Sequence, residues 1–174
     1  MPLSASTATT PLVVLGSARQ AGDTHRLVAG ALAKVPHTLV NLLDWPVAPY
    51  SYDHEYPAED AFPHLASLMV QHPAIVFATP VYWYSMSGVM KHFLDRLTDL
   101  TDSHKQLGRA LAGKHAFLLA VGSDHNLPEG FEVPFRRTAA YFDMTFERSL
   151  YQSLTQPFPE EETRQFAHQL RGVC

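Results

Sequence analysis

Pro11-Leu12-Val13-Val14-Leu15 runs straight into Gly16-Ser17-Ala18-Arg19-Gln20-Ala21-Gly22-Asp23-Thr24-His25, and this junction decides the fold. The apolar run is short, β-branched and closed by a turn signal, so it reads as a buried strand. Beyond it, Leu27, Val28, Ala31, Leu32 and Val35 recur at helical spacing. A small, hydroxyl-rich loop therefore joins a strand to the start of a helix. Such a loop offers unpaired backbone N–H groups, the positive end of a helix dipole, Ser and Thr hydroxyls and one arginine. That is the chemistry of a phosphate site. The plainer reading is a strand–helix turn with Asp23 or Thr24 as N-cap and Arg19 in water.

The same alternation continues outward. Thr38-Leu39-Val40-Asn41-Leu42 reads as a second strand. The segment from Asp44 to Tyr56 is irregular and carries Pro46, Pro49, Tyr50, Tyr52 and Tyr56. Loops of that length in compact domains are functional or interfacial. A helix is expected from about Glu59 to His72, with Pro63 in its first turn. Ala74-Ile75-Val76-Phe77-Ala78 is an unbroken apolar run, the mark of a parallel strand covered on both faces. A third helix follows Gly88. It has Val89, Met90, Phe93, Leu94, Leu97 and Leu100 on one side, and Lys91, His92, Asp95, Arg96 and Asp99 off it. Ala116 to Val121 is the fourth strand, Val133 to Tyr141 a fourth helix, Met144 to Leu150 a fifth strand, and Glu160 to Arg171 a closing helix.

Strands alternating with helices give a parallel sheet wound on both faces by right-handed crossovers. Five strands and five helices fit an α/β three-layer sandwich of the flavodoxin-like kind, with a five-stranded parallel sheet in the order 2-1-3-4-5. Ligands in such sheets bind beyond the carboxyl ends of the strands where the winding reverses. Three loops fall there: Gly16 to Thr24, Thr79 to Gly88, and Gly122 to Gly130.

Composition bounds the function. The 174 residues are 46% hydrophobic, enough for one domain with a sizeable core. Residues 11–174 are expected to form that domain, and Met1 to Thr10 reads as a disordered Ser/Thr/Ala-rich tail rather than a signal peptide. Thirteen Lys and Arg against seventeen Asp and Glu give a net charge of -4, which argues against nucleic-acid binding. Apolar runs are strand-length, so no membrane span is expected. The one cysteine, Cys174, excludes an intrachain disulfide and a cysteine-ligated metal within the chain. Ten scattered histidines lack a His-Glu-x-x-His pair, so no metal site is expected. Gly108-Arg-Ala-Leu-Ala-Gly113-Lys114 imitates a nucleotide-binding loop. His115 replaces the needed Ser or Thr, and the motif precedes a strand instead of following one, so it reads as a helix end and turn.

The second informative stretch is Pro80-Val81-Tyr82-Trp83-Tyr84-Ser85-Met86-Ser87-Gly88. Large aromatics at the open end of a buried strand call for a flat ligand or a partner subunit to cover them. The alternative is a local aromatic cluster with Ser85 or Ser87 as helix N-cap.

Together, Gly-Ser-x-Arg after strand one and Thr-Pro-x-Tyr-Trp-x-x-x-x-Gly after strand three resemble the NAD(P)H-dependent FMN reductase / quinone reductase family of flavodoxin-like flavoproteins. The resemblance runs from about Pro11 to Leu150. It implies bound FMN, with NADPH or NADH as co-substrate. Ser17, Arg19, Asp23, Thr24 and His25 would serve the FMN phosphate. Pro80, Val81, Tyr82 and Trp83 would serve the isoalloxazine and ribityl chain, and Gly122 and Ser123 the third wall. It implies an oxidoreductase passing hydride from nicotinamide via the flavin to a small acceptor such as a quinone, flavin or azo compound. No residue of the chain need act as an obligatory catalytic acid or base. A cytoplasmic homodimer, or a tetramer, would follow the family, with Asp44 to Tyr56 at the subunit contact. Two rivals are a non-enzymatic flavodoxin-type electron carrier and a flavin-binding regulatory protein. Arg19 and the modest net charge favour the reductase over the carrier.

Overall fold

The computed structural model describes residues 8–174. The tail expected over Met1 to Thr10 therefore falls mostly outside the described residues. Where description begins, the Ala8 N–H donates to Gln71 O, and His72 Nδ1 lies 2.7 Å from Thr10 O.

Among the described residues six strands and six α-helices follow one another. They are β1 (Leu12–Leu15), α1 (Asp23–Ala31), β2 (Thr38–Asn41), α2 (Phe62–Gln71), β3 (Ala74–Tyr82), β4 (Ser85–Met86), α3 (Gly88–Arg96), α4 (Lys105–Arg109), β5 (His115–Gly122), α5 (Val133–Tyr141), β6 (Thr145–Ser153) and α6 (Glu160–Gly172). Short 3-10 turns lie at Leu42–Asp44 and Leu97–Thr101. The parallel sheet runs β2-β1-β3-β5-β6, with β4 paired antiparallel to the end of β3. Its five parallel strands have the flavodoxin-like order read from the sequence. One apolar layer packs α1 and α6 against Val13, Val76 and Leu119, and the other packs α2, α3 and α5 against Val14, Phe77 and Leu118.

The differences from the sequence reading have local causes. The third strand does not stop at Thr79-Pro80. β1 ends opposite Ala78, so Pro80 sits where β3 has run past its neighbour. The missing proline N–H then costs no ladder bond on that side. The strand turns back through Trp83 and Tyr84, with Tyr82 facing Ser85 across the turn. Both turn residues have positive φ, 49° and 64°, the pattern of a type I′ hairpin. That turn favours Asn-Gly, so two aromatics there hold strain of the kind kept at functional sites. The strand expected to start at Met144 begins instead at Thr145 and carries a bulge near Glu147. The bulge brings that carboxylate 2.7 Å from His115 Nδ1. The imitation nucleotide loop is the end of α4 and a turn into β5, with Lys114 Nζ donating to His72 O at 2.8 Å.

Arg96 and Asp99 were expected off the apolar side of the third helix, yet both are buried, at 1% and 0% exposure. The Arg96 guanidinium donates to both Asp60 oxygens at 2.9 and 2.8 Å, to Asp99 Oδ2 at 3.0 Å and to Ala48 O at 2.9 Å. It also lies between the rings of Tyr56 and Phe62, 3.6 and 4.6 Å from their centroids. Tyr56 OH donates to Asp99 Oδ1, and His54 Nδ1 lies 3.2 Å from the same oxygen. The underside of the 44–61 segment is thus pinned to the helical layer. Tyr52 on its outer side is 88% exposed.

Candidate functional site

A pocket of about 230 Å³ opens at the carboxyl ends of β1, β3 and β5. It brings together Ser17, Arg19, Asp23 and Thr24 from the first loop, Pro80, Val81 and Tyr82 from the second, and Gly122 and Ser123 from the third. His25 and Trp83, also singled out in the sequence, do not line it. His25 lies one residue deeper in the helix, and Trp83 is held outward by its αL backbone at 92% exposure. Gly22, inside the first ligand-end loop but not named singly, completes the lining with Val121 and Leu154, which were not anticipated. Gly22 had a signal, the glycine directly before a helical period. Leu154 had none. It arrives because its N–H donates to Gly122 O across the sheet, at 2.8 Å.

The end of the pocket formed by the first loop carries unpaired backbone donors. Gly22, not Asp23 or Thr24, is the N-cap of α1, and no side chain caps the helix. Its first N–H groups therefore keep their donors free for an anion, at the positive end of the dipole. The Asp23 carboxylate is turned to Arg26, which offsets its charge beside such an anion. The Ser17 hydroxyl is buried and Arg19 is exposed on the rim. Among the described residues Arg19 has no carboxylate partner.

The floor is rigid. Ser87 caps α3, with its Oγ accepting from Met90 N at 3.1 Å and donating to Gly16 O at 2.7 Å, while its N–H donates to Thr79 Oγ1 at 3.1 Å. One buried serine thus ties together the first loop, the end of β3 and α3. The third wall is close-packed. A Cβ on Gly122 would lie 2.8 Å from Tyr151 Oη and 3.0 Å from Val81 Cβ. Tyr151 Oη in turn donates to Asp124 O at 2.8 Å, fixing the loop beyond Ser123. Burial and the nearby Asp124 push the Tyr151 phenol above its ordinary pKa, so it remains a donor there.

This set fits FMN. An uncapped helix start, a buried hydroxyl and a free arginine suit a phosphate monoester. Gly122 lets the third wall pack directly on Tyr151 and Val81, which firms the side where a ribityl chain would lie. The pocket is smaller than the usual 300–1,000 Å³ of a ligand site. A three-ring system would extend past its rim, where Tyr82, Trp83 and Tyr84 are 46%, 92% and 68% exposed.

The chain belongs to the NADPH-dependent FMN reductase family, whose model matches residues 10–149. A Bacillus subtilis (strain 168) protein named as an NAD(P)H-dependent FMN-containing oxidoreductase, YwqN, is 25% identical over 144 residues. The match covers 78% of this chain and 80% of that one. The Trp repressor binding protein from Bacillus subtilis has a similar structure, with TM-score 0.69 and 22% identity over 95% of this chain and 99% of that one. A flavodoxin, WrbA-like protein from Agrobacterium tumefaciens superposes with TM-score 0.64 at 16% identity, over 94% and 96%. Both likenesses speak to the fold. The protein is accordingly an enzyme that works with FMN and reduced nicotinamide. No helix among the described residues is long and apolar enough to cross a membrane.

Proposed function

We propose that the enzyme reduces small planar acceptors, with quinones, azo compounds and free flavins as the class, at the open side of the 230 Å³ pocket. The supporting observation is the rim. Three exposed aromatics follow β3 where a flat ring would need cover, and the turn carrying two of them is strained. FMN when bound supplies two-electron chemistry between nicotinamide and acceptor. The chain's own part is placement. The first loop and the start of α1 hold the phosphate. Pro80, Val81 and Tyr82 support the ring edge, and Gly122 and Ser123 close the ribityl side. Trp83 and His25 complete the proposed set from just outside the pocket.

Arg19 tests the assignment. A charge-assisted bond to phosphate is worth about 1.5–3 kcal/mol. Arg19→Ala is therefore expected to weaken FMN binding about tenfold or more. Flavin titration of apoprotein measures this, and NADPH or NADH oxidation with a quinone then measures turnover. Unchanged FMN affinity would remove Arg19 from the site. Strong FMN binding with no oxidation of either nicotinamide would favour the electron-carrier rival.

We also propose that residues 11–174 act as one domain and that two such chains form a homodimer around the exposed aromatics. Half-buried Tyr50 packs edge to face at 5.1 Å against Tyr52 on the outer side of the 44–61 segment, whose inner side is already held by Arg96. Tyrosines suit interfaces because ring and hydroxyl can both be used. Replacing Tyr50 and Tyr52 with Ser is expected to shift the protein toward monomer and to lower activity. Sedimentation at micromolar concentration measures the first. A wild-type monomer with full activity would end the dimer proposal. A cytoplasmic location belongs to the same reading, supported by reliance on reduced nicotinamide and by a lone terminal cysteine suited to a reducing compartment.

A further inference from the structure

A second and larger cleft, about 1150 Å³, lies between α1 and α6 and shares no residue with the flavin pocket. Its walls carry the small residues Gly30, Ala31, Ala167 and Gly172 of the two helices, with Gln165, His168 and Gln169 beside them on α6, and Phe158 closes one side. A Cβ on Gly30 would meet the Phe158 ring at 3.1 Å. The rim has the opposite character. Lys34, Arg148, Arg164 and Arg171 line it against one carboxylate, Glu160. Arg164 is paired with Glu160 and Glu161. Among the described residues, Lys34, Arg148 and Arg171 have no carboxylate partner. Three uncompensated cations thus border an apolar trough on a chain of net charge -4. Thr163, 9% exposed, sits on the same wall with an Oγ1 that lacks any hydrogen-bond partner.

We propose that this cleft binds a long-chain fatty acid, its unbranched acyl chain along the small-residue floor and its carboxylate at the cationic rim. A polymethylene chain is slim and flexible enough to lie in a trough walled by small residues, Phe158 and the stems of long side chains. Burial of each methylene is favourable and non-directional, so the floor selects for length. The rim selects for a negative head, since the same chain with a cationic head would meet net repulsion there. The Thr163 hydroxyl gains a polar neighbour in the carboxylate or its water.

The test is isothermal titration of the FMN-loaded protein with laurate below its micellar concentration, beside dodecyltrimethylammonium. Laurate is expected to bind one to one, at least about tenfold tighter than the cationic surfactant, with the flavin spectrum intact. Lys34→Glu with Arg171→Glu is expected to weaken laurate by about tenfold or more and to leave FMN bound. Lys34→Gln with Arg171→Gln serves if the first pair folds poorly. Ala33→Trp, which fills the cleft from its α1 side, is expected to remove laurate binding. Equal affinity for the two surfactants, indifference to the charge variants, or release of FMN by laurate would each overturn the proposal. So would binding of a glutamate-rich peptide by a protein that ignores laurate.

Discussion

Arg96→Met is expected to lower the stability of the protein by about 3–5 kcal/mol, the loss typical of removing one partner from a buried ion cluster. Methionine fills much of the same space, so the loss is electrostatic more than cavity. Asp60 and Asp99 would be left in a site that excludes water, with Ala48 O also unpaired. Urea unfolding measures the effect. Arg96→Lys should recover only part of the stability, because an ammonium cannot reach Asp60, Asp99 and Ala48 with one planar fork. A triple variant, Arg96→Met with Asp60→Asn and Asp99→Asn, should recover more, since it leaves no unpaired buried charge. If the triple variant is no better than Arg96→Met alone, lost packing against Tyr56 and Phe62 is the cause instead.

The same cluster gives stability a pH dependence. Burial pushes the Asp60 carboxyl up, but hydrogen bonds from Arg96 and from the Ala48 N–H, with the Arg96 charge, bring it below the usual carboxylate range. A group with a lowered folded pKa stabilises fully above its unfolded value, about 4, and that contribution fades as pH falls through the folded pKa. The wild type should therefore lose stability in acid below about pH 4 more steeply than Arg96→Met does.

The sheet and the pocket were legible in the sequence because each rests on a local pattern. An apolar run, a glycine-hydroxyl loop and a helical period are neighbours along the chain, and the order of winding then sets three loops at one end. The Arg96 cluster was not legible. Its partners Ala48 and Asp60 lie 48 and 36 residues away, and a helix bearing Lys91, Asp95 and Arg96 off its apolar stripe looks like a solvated face. Nothing in the spacing of Asp60 announces a buried carboxylate. Leu154 was hidden for a similar reason, since its place beside Gly122 depends on how the chain reverses after β6. The strain at Trp83 and Tyr84 was half visible. The aromatics stood out, but a two-residue hairpin without Asn or Gly gives no turn signal.

Gly16→Ala is expected to cost about 1–3 kcal/mol of stability, the usual range for overpacking, and to weaken FMN binding at the same time. The added Cβ would stand 2.8 Å from Met90 Cβ and 2.9 Å from Met90 Cα. The second atom is helix backbone, so a rotamer change cannot relieve the contact. Either α3 or the first loop must move. The Gly16 N–H donates to Ala78 O at 2.8 Å, and Gly16 O accepts from the Ser87 hydroxyl at 2.7 Å, so the loop is held against both β3 and the helix cap. Movement of Gly16 carries Ser17 with it, away from the pocket it lines. Gly88→Ala is the control, on the same helix, because a Cβ there meets nothing within 4 Å. It should change stability by no more than about 1 kcal/mol and leave FMN affinity alone. Urea unfolding and flavin titration of the two variants decide the matter. If Gly16→Ala matches Gly88→Ala in both, the junction between the first strand and its loop tolerates a side chain, and the tight seat of α3 is not what positions the proposed phosphate loop.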